Sequence, residues 1–203
     1  MNHTIATYLW PGSTHFGFGA AALAGQEAKR LGATHAFILT DPGVEGAGLV
    51  EPVAAALAAA GVACTLYTHC PPNPDVESVD AAAAAFRESS ADLVVGIGGG
   101  SPLDGAKAVR ELAGGPAGAS IADYALMLGD QARPVPSPGE MPPMIGVPTT
   151  DGTGAEVTPW AVITDLTNMQ KKGIGGPSLV PNVALCDPVL TLGLPPHLTA
   201  ATG

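Results

Sequence analysis

Two short segments rich in glycine and hydroxyl side chains carry the residues best suited to bind a ligand. The first, residues 98–102 (GGGSP), follows an apolar run and precedes a helical pattern. Consecutive glycines let a backbone approach a ligand closely, and the start of a helix offers free N–H groups and a positive dipole end. These properties suit a diphosphate. The segment lacks both the G-x-G-x-x-G and the Walker patterns, so a plain glycine-rich turn stays open as an alternative.

The second segment, residues 148–154 (PTTDGTG), places three hydroxyls and two glycines directly after another apolar run. Hydroxyls and exposed amides at the carboxyl end of a strand suit a phosphate or a ribose, and open α/β sheets bind ligands at that edge. Asp41, which follows an earlier apolar run, has two interpretations. It can accept a hydrogen bond from a ribose 2′-OH, or it can cap a helix or turn.

The elements that position these segments alternate between apolar runs and alanine-rich helical patterns. Near-continuously apolar strands that alternate with helices are typical of a parallel sheet covered on both faces, so we predict a doubly wound α/β fold. Residues 113–143 are predicted to be an exposed, proline-dense loop. The predicted helices are 20–31, 48–60 (with Gly61 past its end), 76–89, 103–112 and one starting at 197; the predicted strands are 35–40, 62–67, 92–97, 144–147, 158–164 and 183–186.

Composition excludes several other classes of function. Eight basic and 18 acidic residues give a net charge of −10, which argues against nucleic-acid binding. No apolar run approaches 18 residues and the N-terminus lacks a signal-peptide pattern, so we expect a cytoplasmic protein that does not associate with membranes. The three cysteines and five histidines show no metal-ligand spacing, and the cysteines are expected to be inert, partly buried thiols.

Several motifs in order along the chain resemble the iron-containing (group III) alcohol dehydrogenases. The resemblance implies a Rossmann-like, mostly parallel sheet of the dehydroquinate synthase-like type, as in the N-terminal domain of that family. The matching segments are 16–19 (FGFG), 39–43 (LTDPG), 98–107 (GGGSPLDGAK), 148–157 (PTTDGTGAEV), 161–165 (AVITD), 181–188 (PNVALCDP) and 194–203 (LPPHLTAATG).

The resemblance also implies roles for individual residues in binding NAD. Asp41 would face the adenosine ribose and make NADP the less favoured cofactor, Asn73 would lie on the adenine side, and Lys171 (or its neighbour Lys172) would reach the nicotinamide ribose. Asp104 and Lys107 match the motif too, although their expected role is in the structure of the helix start. The remaining implied contacts are Gly99, Gly100 and Ser101 at the diphosphate, Thr149, Thr150, Gly152 and Thr153 further along the cofactor, and Val180 packed near it.

Members of this family are expected to hold a divalent metal, iron or zinc, in a helical domain whose ligands would follow residue 203. We therefore divide the chain into a cofactor-binding domain, residues 1–190, and the start of a helical domain, residues 191–203, with the metal-binding part missing. The expected function is hydride transfer between an alcohol or aldehyde and NAD in a homo-oligomer, with no catalysis by this chain alone. A non-catalytic nucleotide-binding module and a dehydroquinate-synthase-like lyase are the alternatives.

Overall fold

The computed structural model describes residues 12–124, 136 and 139–202, and these form a parallel α/β sheet with an attached hairpin. Six parallel strands lie in the order β1-β8-β5-β4-β2-β3, and β6 and β7 form an antiparallel pair. The strands are β1 (Ser13–Phe16), β2 (His35–Leu39), β3 (Ala63–Tyr67), β4 (Leu93–Gly98), β5 (Met144–Pro148), β6 (Trp160–Asp165), β7 (Gln170–Gly175) and β8 (Val183–Cys186).

Helices cover both faces of the sheet, which confirms the predicted doubly wound architecture. They are α1 (Ala24–Arg30), α2 (Pro42–Gly46), α3 (Glu51–Ala59), α4 (Val76–Ser89), α5 (Gly100–Gly114) and α6 (Pro196–Thr202), with short 3-10 helices between some of them. In the part of the chain that the structure describes, no helix is both long enough and apolar enough to cross a bilayer.

Alternate residues of the central strands supply two separate cores. Leu93 and Val95 pack with α1 and α3 on one face, while Val94 packs with α4 and α5 on the other. Because both faces of a strand are buried in this way, its sequence is almost continuously apolar, which is the pattern that predicted these strands.

Local sequence fixes the ends of the helices beside the site. Asp75 caps α4 by accepting the N–H of Ser78 (2.8 Å), and the Ser78 hydroxyl accepts the N–H of Asp75 in return. Gly61 follows Ala60, the C-cap residue of α3, with φ +73°, as predicted for a glycine that ends a helix. Helix α5 begins at Gly100, three residues before its predicted start, so Gly100 and Ser101 lie in its first turn.

Three elements, β1, α2 and β7, were not predicted, and the predicted exposed loop is only partly correct. Residues 125–135 and 137–138 of that loop lie outside the described residues. Of the described part, Ile121 and Tyr124 are buried against α4 and α5, and the Asp80 carboxylate accepts the Ile121 N–H (2.8 Å). The apolar side chains of this otherwise irregular segment therefore belong to the core.

Candidate functional site: the carboxyl edge of the sheet

The two glycine- and threonine-rich segments leave neighbouring strands side by side. Gly98, the last residue of β4, pairs with Pro148, the last residue of β5, and the Thr149 N–H donates to the Gly98 carbonyl (3.0 Å). Because all six strands are parallel, their carboxyl ends meet at one edge, which we call the carboxyl edge. The predicted convergence of the two segments is present in the structure.

Glycine is required in the first segment because threonines of the second lie against it. A Cβ atom added to Gly100 would lie 2.8 Å from Thr153 Cγ2, and one added to Gly99 would lie 3.3 Å from Thr150 Cγ2. The two segments thus pack directly against each other, with glycine backbone facing the threonines, and we call the surface where they meet at the carboxyl edge the cleft.

The first turn of α5 points N–H groups at this cleft. Gly99 is the N-cap residue and provides no side chain to accept the N–H groups of Gly100 and Ser101, and Pro102 has no N–H. A helix start without a side-chain cap carries unpaired donors and the positive end of the helix dipole, which is the arrangement that binds phosphate groups.

Ser101, Asn73 and Lys171 form one hydrogen-bonded cluster beside the cleft. The Asn73 N–H donates to Ser101 Oγ (3.1 Å), and Lys171 Nζ donates to Asn73 Oδ1 (2.8 Å). Asn73 has a left-handed backbone (φ 54°), and Thr164 Oγ1 donates to its carbonyl (3.4 Å). Asn73 and Lys171, for which the resemblance implies opposite ends of a cofactor, are therefore in direct contact here.

The two adjacent lysines of β7 point in different directions, and this decides which of them faces the cleft. Lys171 is exposed and reaches Asn73, whereas Lys172 turns to the hairpin and pairs with Asp165 (3.0 Å). Neighbouring residues of a strand point to opposite sides, so only Lys171 faces the cleft.

Asp41 lies at the carboxyl edge and caps a helix. Its Oδ1 accepts the N–H groups of Gly43 (2.8 Å) and Val44 (2.9 Å), which begins α2. The preceding hydroxyl, Thr40 Oγ1, donates to the carbonyl of Ile97 (2.8 Å), which places Asp41 beside the end of β4. No described residue bonds to Asp41 Oδ2, so the cap and a ligand contact are compatible.

Val180 is the one predicted site residue that the structure does not bring to the carboxyl edge. Its carbonyl accepts a hydrogen bond from Arg110 (3.1 Å), and the next residue but one, Asn182, accepts the N–H of Met144 at the start of β5. Arg110 is ten residues along α5 from Gly100, about 15 Å at the helical rise. Val180 therefore lies toward the amino ends of the strands.

Charged residues on one stripe of α5 hold the hairpin that carries Lys171. Lys107 is fully buried and its Nζ donates to the carbonyls of Thr158 (2.9 Å) and Trp160 (2.6 Å), while Asp104 Oδ2 accepts the Val162 N–H (3.0 Å). Burial lowers the pKa of Lys107 to about 8, partly offset by Asp104, and raises that of Asp104. The expected structural role of these two residues is therefore attachment of β6 to α5.

Arg110 extends the same stripe and was missed by the sequence analysis. Its guanidinium donates to the carbonyls of Pro142 (2.7 Å), Ser178 (2.8 Å) and Val180, and to Asn182 Oδ1 (3.0 Å). The spacing of Asp104, Lys107 and Arg110, at positions i, i+3 and i+6 of a mostly apolar helix, was the signal for it. Charges placed in this way need partners on an adjacent element.

The cysteines and potential metal ligands add no further chemistry to this edge. Cys70 is buried, and burial together with Asp41 and Asp104 raises the pKa of its thiol to about 12, so it stays protonated. Among the described residues, no three His, Cys, Asp or Glu side chains are grouped so that they could hold a metal ion. We therefore assign no metal ligand within residues 12–124, 136 and 139–202.

Comparison with known proteins places this edge in a family. The family model described as iron-containing alcohol dehydrogenase matches residues 11–188. A choline dehydrogenase of Bacillus subtilis (strain 168) is 37% identical over 97% of this chain, and a 4-hydroxybutyrate dehydrogenase of Cupriavidus necator is 40% identical over 93%. These matches cover 48% and 47% of the two relatives, so the chain spans about half their length.

Solved structures agree with these sequence matches. An archaeal halo-thermophilic Red Sea brine pool alcohol dehydrogenase bound to NZQ superposes with a TM-score of 0.92 at 32% identity, covering all of this chain and 50% of that one. A sulfoacetaldehyde reductase from Bifidobacterium kashiwanohense in complex with NAD+ gives 0.85 at 33% identity, covering 98% and 50%. This chain thus shares its fold with these enzymes over nearly its whole length, and it belongs to the iron-containing alcohol dehydrogenase family.

Proposed function

We propose that this chain is the cofactor-binding part of a dehydrogenase that transfers hydride between an alcohol or aldehyde and NAD. The observation that carries the proposal is the start of α5, which has no side-chain cap and lies beside the threonines of the second segment. A helix start with unpaired N–H groups and glycine backbone fits a diphosphate. NAD(H) supplies the hydride-transferring nicotinamide when bound.

The residues of the carboxyl edge divide into three parts of this proposed site. The N–H groups of Gly100 and Ser101 bind the diphosphate, with Thr149, Thr150 and Thr153 on the opposite side. Asp41 Oδ2 accepts from the adenosine ribose. The Lys171 ammonium and the Asn73 amide lie together beside Ser101, and we place both at the same region of the dinucleotide, where the cation offsets phosphate charge.

We also propose a domain boundary near residue 190, a cytoplasmic location and assembly as a homo-oligomer. The 4-hydroxybutyrate, choline and sulfoacetaldehyde enzymes differ in substrate, so we propose only the class of alcohols or aldehydes. Because no metal ligands are assigned here, the proposal covers cofactor binding and orientation, and no step is routed through a metal.

The charge of Asp41 is expected to make the chain bind NAD(H) more tightly than NADP(H). A carboxylate at the ribose accepts a hydrogen bond from the 2′-OH and repels a 2′-phosphate. Asp41→Asn keeps an N-cap acceptor for α2 but removes the repulsion, so NADPH affinity should rise at least about tenfold while NADH affinity falls a few-fold. Titration calorimetry of both cofactors tests this.

Asp41→Gly provides the matched second variant. Glycine is also tolerated at an N-cap, so the fold should survive and the preference for NADH should again narrow or reverse. Equal affinity of the unaltered chain for the two cofactors would contradict the assignment of Asp41, and absence of NADH binding would overturn the proposed function.

Asp151 is expected to weaken cofactor binding. It is an exposed carboxylate between Thr150, which lies against Gly99, and Gly152, so its negative charge is close to the proposed diphosphate. Asp151→Asn should therefore increase NADH affinity about two- to fivefold at low ionic strength, with a smaller gain at high salt because exposed charges are screened. A salt-independent effect, or none, would show that this side chain is remote from the phosphates.

A further inference from the structure

Gly152 is in contact with the last turn of α6 rather than with the cleft alone. A Cβ atom added to it would overlap the carbonyl oxygen of Thr202 and would lie 2.9 Å from the Thr202 carbonyl carbon and 3.0 Å from its Cβ. Gly152 does not have a positive φ. Its lack of a side chain is therefore required by the approach of α6 and not by backbone conformation.

The opposite side of the same loop lies on the start of α5. Thr150 and Thr153, on either side of Gly152, are the residues that approach Gly99 and Gly100. The loop is thus held between two helix ends, the first turn of α5 on one side and the last turn of α6 on the other. A shift of the loop toward either helix must change its spacing to both.

Helix α6 differs from the other α-helices in having no buried face among its described residues. None of its described residues is buried, whereas every other α-helix buries at least one side chain. A seven-residue helix without a buried face has little stability of its own in water. Its position is accordingly sensitive to where the loop lies.

We infer that Gly152 is a positioning residue that couples the docking of α6 to occupancy of the diphosphate cleft. The inference rests on the proposed function, since it takes the ligand of the cleft to be NAD(H). Cofactor phosphates fix the threonine loop against α5, the fixed loop presents Gly152 to Thr202, and α6 docks. Coupling of this kind is reciprocal, so loss of α6 docking must weaken cofactor binding by the same factor by which cofactor strengthens docking.

Hydrogen exchange of the α6 amides, residues 197–202, measures docking directly. In the unaltered chain, saturating NADH is expected to slow exchange in α6 about tenfold. This measurement needs no variant, so it stands even if a substitution disturbs folding. Binding of NADH with no change in α6 exchange would overturn the coupling and leave the proposed function intact, whereas no binding of NADH at all would overturn both.

Gly152→Ala separates the coupling from a general effect of glycine replacement. The added methyl should speed exchange in α6 even without cofactor and weaken NADH binding about tenfold, with NADH no longer slowing α6 exchange. Gly193→Ala is the matched control, because Gly193 lies just before α6 in open space and without a positive φ. If Gly152→Ala and Gly193→Ala, both folded by circular dichroism, gave the same NADH affinity and the same exchange in α6, the inference would be overturned.

Discussion

Replacing Gly99 with valine is expected to abolish NAD(H) binding while leaving the fold intact. The added Cβ alone would lie 3.3 Å from Thr150 Cγ2, and the two methyl groups beyond it would fill the cleft between the two segments. Gly99 has φ −75° and ψ −160°, an extended conformation that any residue adopts, so the substitution adds no backbone strain. We expect an increase in Kd of at least about 100-fold, equivalent to roughly 3 kcal/mol.

Titration calorimetry with NADH, together with a thermal unfolding curve for each variant, checks this result. Gly99→Ala should have a smaller effect because its single methyl, 3.3 Å from Thr150 Cγ2, requires only a small shift of that side chain. Gly193→Val makes the same substitution in open space and should bind like the unaltered chain. Wild-type affinity of a folded Gly99→Val variant would mean that the diphosphate binds elsewhere.

Elements buried on both faces were predictable because burial on both faces requires an almost continuously apolar sequence. The apolar residues of β4, followed by Gly98, predicted both the strand and the turn into α5, and the five consecutive alanines of α4 predicted a helix with the observed bounds. The elements that were missed lack that pattern. Strand β1 is mostly exposed, β7 begins with Gln-Lys-Lys, and α2 is five residues long with two glycines.

The candidate site was predictable only as far as its local motifs extend. The two segments converge because each follows a parallel strand, a relation that strand order fixes. Contacts between distant positions carry no such local pattern: Lys171 and Asn73 are 98 residues apart, and nothing in the sequence around either residue indicates their direct contact. The position of Val180 was not predictable for the same reason, since a motif match does not say toward which edge of the sheet a residue lies.

Tertiary contacts also changed the explanation for the residue types found at positions that the sequence had singled out. Gly152 was predicted as a cofactor contact, but its missing side chain is explained by the backbone of α6. Asp104 and Lys107 were expected to serve the helix start, yet they hold β6. In each case the residue type was informative, and the partner that explains it came from another element.

The second large effect concerns Glu111, a residue of α5 that is fully buried. Neither of its carboxylate oxygens has a hydrogen-bond partner among the described residues. Burial raises the pKa of this carboxyl from 4.5 to about 8, so the folded protein holds it protonated at neutral pH. A buried polar group without a partner is costly, which makes Glu111 a site where an apolar residue should stabilise the fold.

We expect Glu111→Leu to raise the free energy of unfolding by about 1–3 kcal/mol at pH 5 and by more at pH 9. Between pH 4.5 and 8 the folded state retains a proton that the unfolded state releases. The stabilising contribution of that proton is therefore complete below pH 4.5 and is lost as pH rises through 8, by at most about 5 kcal/mol. Leucine does not titrate, so the advantage of the variant should grow across this window and level off above it.

Urea unfolding of both proteins at several pH values between 5 and 9 measures this difference. The other charged residues of α5, Asp104, Lys107 and Arg110, are present in both proteins, so their own pH dependence cancels when the two curves are subtracted. Glu88→Leu, which replaces an exposed carboxylate on α4, should show no comparable growth with pH because that side chain is solvated in the folded and unfolded states alike. If the difference in unfolding free energy between Glu111→Leu and the unaltered chain were constant over this range, Glu111 would have the same proton affinity in the folded and unfolded states. Its side chain would then be a solvated or ionised carboxyl and not a buried neutral acid.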